Sequence, residues 1–241
     1  MPDDINVLLE VSQGLATVTL HRTHRRNALT GPLFDELRQA FTSLSQDPKV
    51  HAVLLKGAEG AFCSGLDLKE YRADPPPSWL PSAAQSALAA HEAIFNCPVP
   101  VVGALERFAI NGGASLALAC DLLVAGQEAY LQVAEIKLGM AAPMNLTWLH
   151  HRFPLATAQQ LVLTGRKFFG PDLHRLGVVL DVVDDEKVLD KAVEVAQEIA
   201  NCPPGGTRSL QAGLKVGASW GEHRQAVFEV SQMALSLPSD Q

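Results

Sequence analysis

The chain has 241 residues, 47% hydrophobic and 19% charged, with a formal net charge of −7. That length allows one large domain with a full hydrophobic core, and the composition is that of a soluble globular protein. The acidic balance gives no electrostatic reason to expect nucleic acid or an anionic membrane as partner, while leaving room for an anionic ligand at a local basic cluster. The opening Met1-Pro-Asp-Asp-Ile-Asn-Val7 lacks the charged-then-apolar form of a secretory leader. No apolar run approaches the roughly 20 residues of a bilayer span, so no membrane association and a cytoplasmic location are expected.

In chain order, Leu15 to Leu20 alternates with period two and reads as a half-buried strand after the turn residue Gly14. Thr30 before Gly31-Pro32 is an N-cap with proline in the first turn. Leu33, Phe34, Leu37, Ala40, Phe41 and Leu44 then recur at helical spacing until Asp47-Pro48 stops the helix. A strand over Val50–Lys56 follows, then a helix around Ser82–Phe95, a strand over Val99–Leu105, a helix over Gly113–Ala119 and a strand over Leu122–Ala125. This alternation predicts β-β-α or β-α units whose parallel strands lie buried under helices. Four prolines exclude regular structure over Asp74–Pro81. From Pro154 the pattern is helical: Ala156–Thr164, Pro171–Leu176, Asp184–Asn201, and Thr207–Leu237 with a break near Gly217–Gly221.

Cys63, Cys97, Cys120 and Cys202 lie far apart without a Cys-x-x-Cys pair and are expected as buried reduced thiols. The adjacent His150 and His151 diverge and cannot both face one metal, and no metal site is expected. His91 is expected in a packed or surface role rather than a catalytic one.

Two glycine-bearing segments about fifty residues apart carry the chemistry: Gly60-Ala-Phe-Cys-Ser-Gly-Leu-Asp-Leu-Lys-Glu70 and Ala109-Ile-Asn-Gly-Gly-Ala-Ser-Leu-Ala-Leu-Ala-Cys-Asp121. Each follows a strand-like run and opens into a helix, so each offers free backbone N–H groups at a turn. Such groups bind negative oxygen, and two turns on neighbouring strands could hold one carbonyl oxygen as it becomes an enolate.

At these residues the chain resembles the crotonase family, the enoyl-CoA hydratases and isomerases. Arg22-Thr-His-Arg-Arg-Asn-Ala-Leu29 is similar to the family's Arg/Lys-x-Asn-Ala-Leu element, and Phe62-Cys-Ser-Gly-Leu-Asp-Leu68 to its Phe-Cys-x-Gly-x-Asp-Leu element. Cys120-Asp121, Glu135-Ile-Lys-Leu-Gly139 and Leu163-Thr-Gly-Arg166 sit at the family's spacings. The resemblance implies an α/β crotonase (ClpP-like) spiral of β-β-α units. It implies a core over residues 1–185 that holds coenzyme A and the active site, and a C-terminal helical trimerisation region over 186–241. A homotrimer or hexamer is therefore expected, although the chain stops at Gln241, before the basic helix that commonly follows in the family. The implied ligand is an acyl-CoA thioester, with no cofactor beyond the coenzyme A of the substrate.

Carried over residue by residue, the oxyanion N–H donors are Leu66 and Gly112. Adenine is placed against the backbone of Leu66, Asp67 and Leu68, the phosphates near Arg22, Arg25 and Arg26, and Ala28 beside the thioester arm. Ser64, Gly65, Gly113 and Ser115 complete the substrate-binding set. The family's glycine triplet reads Asn111-Gly112-Gly113 here, and asparagine tolerates left-handed backbone angles. Hydratases of the family use two glutamates; Ser115 stands at the first position and Glu135 at the second. A serine hydroxyl has no accessible basic form near neutral pH, so paired-carboxylate water addition is in doubt. A single carboxylate beside an oxyanion hole suits Δ3,Δ2-enoyl-CoA isomerisation, with Glu135 as catalytic proton shuttle. Met140-Ala-Ala-Pro-Met-Asn-Leu146 agrees, resembling the Ala-Pro-x-x-Leu of isomerases. Other reactions of the family (hydration, decarboxylation, dehydration) and a non-catalytic acyl-CoA binder remain the alternatives.

Overall fold

The computed structural model describes residues 5–217 and 220–234. The first strands and helices are β1 (Val7–Ser12), β2 (Leu15–Leu20), α1 (Gly31–Gln46), β3 (Ala52–Gly57), α2 (Leu68–Tyr71) and α3 (Ala83–Phe95). Next come β4 (Val101–Leu105), β5 (Phe108–Ile110), α4 (Gly112–Ala119), β6 (Leu122–Gly126), β7 (Tyr130–Gln132), α5 (Pro143–Arg152) and α6 (Leu155–Thr164). The chain continues through β8 (Lys167–Phe169), α7 (Gly170–Arg175), β9 (Asp181–Val183), α8 (Val188–Ala200), α9 (Pro204–Leu214) and α10 (Trp220–Ala234).

Six strands form one sheet in the order β1-β2-β3-β4-β6-β9, parallel except for the antiparallel β1–β2 pair. A second sheet, β5-β7-β8, pairs β5 with β7 in parallel and β7 with β8 antiparallel. The successive units β4-β5-α4 and β6-β7-α5 each place a first strand in the large sheet and a second in the small one. This is the β-β-α repetition expected from the sequence.

Both faces of the large sheet are covered, which is why its central strands read as nearly continuous apolar runs. Val53 and Leu55 of β3 join a core with Leu33, Leu37 and Phe41 of α1 and Ile94 of α3. Ala52 and Leu54 point the other way and pack with Val188, Ala192, Val195 and Ala196 of α8. Helix α1 forms as its sequence signals dictate: the Thr30 side chain accepts the Leu33 N–H at 3.4 Å, proline lies in the first turn, and the helix ends at Gln46.

Several elements differ from the sequence expectation. Strand β1 was not foreseen; it is an edge strand with Leu9 40% and Val11 46% exposed, so burial imposes no alternation on it. The small sheet uses strands of three residues, too short for periodicity to mark. Helix α5, opened by Pro143, precedes the helical region expected from Pro154. Cys202 is exposed, while Cys63, Cys97 and Cys120 are buried as expected. The C-terminal run divides into α9 and α10 around Gly217, where a break was expected, though α9 starts earlier, at Pro204; the expected helical residues 235–237 lie outside the described ones. Among the described residues no helix is long and apolar enough to cross a membrane.

Leu54 is 1% exposed between the sheet and α8. Leu54→Ala should therefore lower the unfolding free energy by about 2–5 kcal/mol in urea titration, the range for a cavity left in a packed core. Truncating the edge residue Leu9 should change it by less than about 1 kcal/mol.

Candidate functional site

The two glycine-bearing turns meet because the second strand runs alongside the first motif. Cys63 bridges Ala109 in parallel, with Cys63 N–H donating to Phe108 O and Ile110 N–H to Cys63 O, both at 3.1 Å. On the other side Leu66 bridges Leu29: Leu29 N–H donates to Gly65 O at 2.8 Å and Asp67 N–H to Leu29 O at 2.9 Å. In a parallel bridge of this form the Leu66 N–H points away from Leu29. Among the described residues neither the Leu66 nor the Gly112 N–H has a hydrogen-bond acceptor.

Two glycines permit this approach. Gly65 has φ +90°, and a Cβ there would lie 2.8 Å from Ile110 O. A Cβ on Gly113 would lie 2.5 Å from Cys63 O. Leu66 and Gly112 are neighbours, since a Cβ on Gly112 would lie 3.8 Å from Leu66 Cδ2 and 3.1 Å from Leu29 Cδ1. Asn111 carries the turn with φ 50° and ψ −113°. The positive φ was expected, but ψ lies far from the left-handed helical region, in a conformation glycine adopts more easily. Hydrogen bonds hold it there: Asn111 N–H donates to Gln132 O, and Asn111 Oδ1 accepts the Ala134 N–H, both at 2.8 Å.

That second bond fixes the start of the 3₁₀ turn Glu135–Leu138 against the glycine turn. Glu135 is 8% exposed; its Oε1 accepts from Asn145 Nδ2 at 3.0 Å, and its buried Oε2 has no partner among the described residues. Burial pushes the Glu135 carboxyl up to about 7, against the opposing pull of hydrogen bonds from its own backbone N–H and from Asn145. A carboxyl that exchanges its proton near neutral pH is matched to general base and acid work.

Ser115 is 1% exposed. Its Oγ donates to Gly112 O at 2.7 Å and lies 3.2 Å from His91 Nε2. Trp148 Nε1–H, which can only donate, reaches His91 Nδ1 at 2.9 Å. His91 Nδ1 is therefore the acceptor, Nε2 carries the hydrogen, and the imidazole donates to Ser115 rather than activating it. Burial pushes His91 down to about 3, so it stays neutral, as a packed histidine should. This tautomer excludes a Ser115–His91 nucleophilic pair.

The first motif is braced from below. Asp67, 4% exposed, accepts from Arg25 Nη2 at 2.9 Å, Arg25 Nε at 3.0 Å, Arg22 Nη1 at 3.2 Å and the Glu70 N–H at 3.2 Å. Burial alone would raise the Asp67 carboxyl, but hydrogen bonds from Arg25, the Glu70 N–H and Arg22 hold it below the usual carboxylate range. Arg22 is buried and also bonds Glu70 and Ala28 O, so its guanidinium serves the loop and is not free for phosphate. Arg25 is partly exposed and Arg26 exposed. Ala28 is buried, Ser64 Oγ donates to Arg25 O at 3.2 Å, and Leu66 and Leu68 present 37% and 50% of their surface to solvent. Cavities of about 950 Å³ beside Arg22 and His24, and of about 230 Å³ between Phe95, Trp148 and Lys215, are lined by neither oxyanion turn nor Glu135.

The structure thus gathers Leu66, Gly65, Gly112, Gly113 and Glu135 around one locus, and sets Ser115, Arg22 and Asp67 beneath it. Sequence reasoning missed Asn145, which lies inside the Ala-Pro-x-x-Leu segment. Its only signal there was a polar residue between apolar ones at a helix start.

Residues 10–241 match the model of the enoyl-CoA hydratase/isomerase family. The chain belongs to this family. It is 31% identical over 217 residues to the (E)-benzylidenesuccinyl-CoA hydratase of Thauera aromatica, covering 88% of this chain and 82% of that one. It is also 31% identical over 212 residues to the 1,2-epoxyphenylacetyl-CoA isomerase of Escherichia coli, with 86% and 81% covered. Among solved structures, a carnitinyl-CoA dehydratase from Mycobacterium avium superposes with a TM-score of 0.82 at 27% identity, over 96% of this chain and 93% of that one. A hydratase, an isomerase and a dehydratase are thus among the proteins this chain resembles, so membership of the enoyl-CoA hydratase/isomerase family does not by itself fix the reaction.

The raised Glu135 carboxyl has a consequence for stability. The folded state holds its proton up to about pH 7, against an unfolded value of 4.5, so stability falls as pH rises through that window. Glu135→Gln removes the ionisation and should raise the unfolding free energy at pH 8 by at most about 3 kcal/mol. At pH 4 the gain should vanish, as thermal unfolding at the two pH values will show.

Proposed function

We propose that this family member is a Δ3,Δ2-enoyl-CoA isomerase in which Glu135 alone moves the proton. The observation that carries the reading is the pairing of one buried carboxyl near neutral pKa with a serine, turned inward and hydrogen-bonded, at the position of the hydratases' other glutamate.

A 3-enoyl thioester would lie with its carbonyl oxygen between the N–H groups of Leu66 and Gly112. Glu135 Oε2 takes the C2 proton, and the C2–H electron pair delocalises through the carbonyl to give a dienolate. The two N–H donors are aimed at the oxygen where the negative charge develops. The same carboxyl, now protonated, returns the proton at C4, and the double bond settles between C2 and C3. Atoms and charge balance with no water consumed and no group beyond the substrate's own coenzyme A. The exposed Arg26 would face its phosphates, and Arg25, partly exposed but bonded to Asp67 through Nε and Nη2, would reach them only with its remaining N–H groups. The C-terminal helices are the face through which a trimer would form. Hydration, named for several relatives, is the competing reading, and the missing second carboxylate speaks against it.

The tests are kinetic. Glu135→Gln keeps shape and hydrogen bonding but removes the base, and should abolish turnover of 3-enoyl-CoA while leaving acyl-CoA binding in calorimetry near parental. Gly112→Val should lower kcat by roughly 10²–10³-fold, the scale for losing one oxyanion donor. Ser115→Ala should change it little. For the parent, kcat/KM should rise with pH and level off above about 7, the value at which Glu135 becomes the free base. Parental rates in Glu135→Gln would overturn the reading.

A further inference from the structure

Asn145 stands where the base and the oxyanion turn meet. Its side-chain Nδ2 lies 3.0 Å from Glu135 Oε1 and 3.1 Å from Asn111 O. A primary amide has two N–H hydrogens, and both partners here are acceptors. The Asn111 carbonyl can never donate, so the nitrogen must face this pair, and the flipped amide is ruled out on chemical grounds. Asn145 is 1% exposed, so its two bonds are made out of water.

The second bond has a particular target. Asn111 O belongs to the peptide unit whose N–H is that of Gly112. A hydrogen bond to a peptide oxygen draws electron density toward it and makes the N–H of the same unit a stronger donor, an effect on the order of 10–30% per bond. The Ser115 N–H adds to the same carbonyl at 3.1 Å. One amide therefore orients the carboxyl that would take the proton and polarises the donor that would hold the resulting charge.

We propose that Asn145 is a positioning residue that couples Glu135 to the Gly112 oxyanion donor, one Nδ2 hydrogen serving each. The proposal rests on the reading of Glu135 as base and Gly112 as donor, and its physical content can be read without turnover. Among the described residues no charged side chain is seen to compete for the role. Helix α6, which packs on the Glu135 turn, and α4, which packs on α5, contain none, and α10, which meets α5 through Trp148 and Trp220, keeps Glu222 and Glu229 exposed and Arg224 partly exposed. The basic residues of α5 (His150, His151 and Arg152) lie in its last turn, and Lys137 on the turn itself is exposed.

The test compares the full-length parent with Asn145→Ala and with Asn145→Leu, which keeps the branched shape but offers neither partner a donor and carries the test if the smaller side chain costs the fold. Carboxyl-labelled glutamate, with Glu135→Gln for assignment, gives the Glu135 titration by NMR, and ¹⁵N-glycine gives the Gly112 amide proton. In both variants the Glu135 midpoint should move above its parental position, since a bond to the charged form is lost, and the Gly112 amide proton should move upfield. With 3-enoyl-CoA, kcat should fall by about 10- to 100-fold, the loss of one hydrogen bond to a charged group. Its acid limb should follow the NMR midpoint, and KM should change little. A folded variant in which either the midpoint or the Gly112 shift stays parental overturns the coupling. If both NMR signals respond in a protein that does not isomerise 3-enoyl-CoA, the coupling stands and the reaction assignment falls.

Discussion

Glu135 is 8% exposed, with one side-chain donor and no ion pair among the described residues, and a carboxylate in that setting is opposed by desolvation. In the proposed reaction that opposition is useful: it brings the proton affinity of a glutamate to the range where the proton can be both taken and given back. It also demands a surrounding structure stable enough to hold the group there. The layered core provides it, with the central strands packed on one face by α1 and α3 and on the other by α8. Segments far apart in sequence thereby end at one rigid edge of the sheet.

Three polar contacts convert that rigidity into a site. The Cys63–Ala109 bridge places the two glycine turns side by side. The Asn111 side chain ties the second turn to the segment of Glu135, while Arg22 and Arg25 clamp Asp67 and so the first turn. Each contact joins residues more than twenty positions apart. Loss of any one would loosen the relation between the proposed base and the proposed oxyanion donors before it unfolded the protein, and displacements of that kind are felt in catalysis well before they are felt in stability.

Much of this was legible in the sequence. The Thr30 cap, the helix that follows and the buried strands all rest on local signals: a capping side chain, a proline in the first turn, runs of β-branched residues. The two turns and Glu135 were legible through the family motifs. What stayed hidden depends on tertiary context. Strand β1 has no buried face to impose alternation, and the small sheet is too short to carry a period. The direction of the Ser115 hydroxyl follows from the His91 tautomer, which Trp148 sets from another helix. Arg22 reads as a basic surface residue until Asp67, 45 positions away, is seen beneath it. Asn145 shows its role only when Asn111 and Glu135 are both in place around it.

Family membership leaves the choice between moving a proton and adding water, and the account here turns on a single carboxyl doing the former. Incubation of the protein with 3-enoyl-CoA in H₂¹⁸O, followed by mass analysis of the acyl product, addresses that choice directly. The account predicts conversion to 2-enoyl-CoA of unchanged mass, without ¹⁸O. Accumulation of a 3-hydroxyacyl-CoA carrying ¹⁸O as the main product would contradict it.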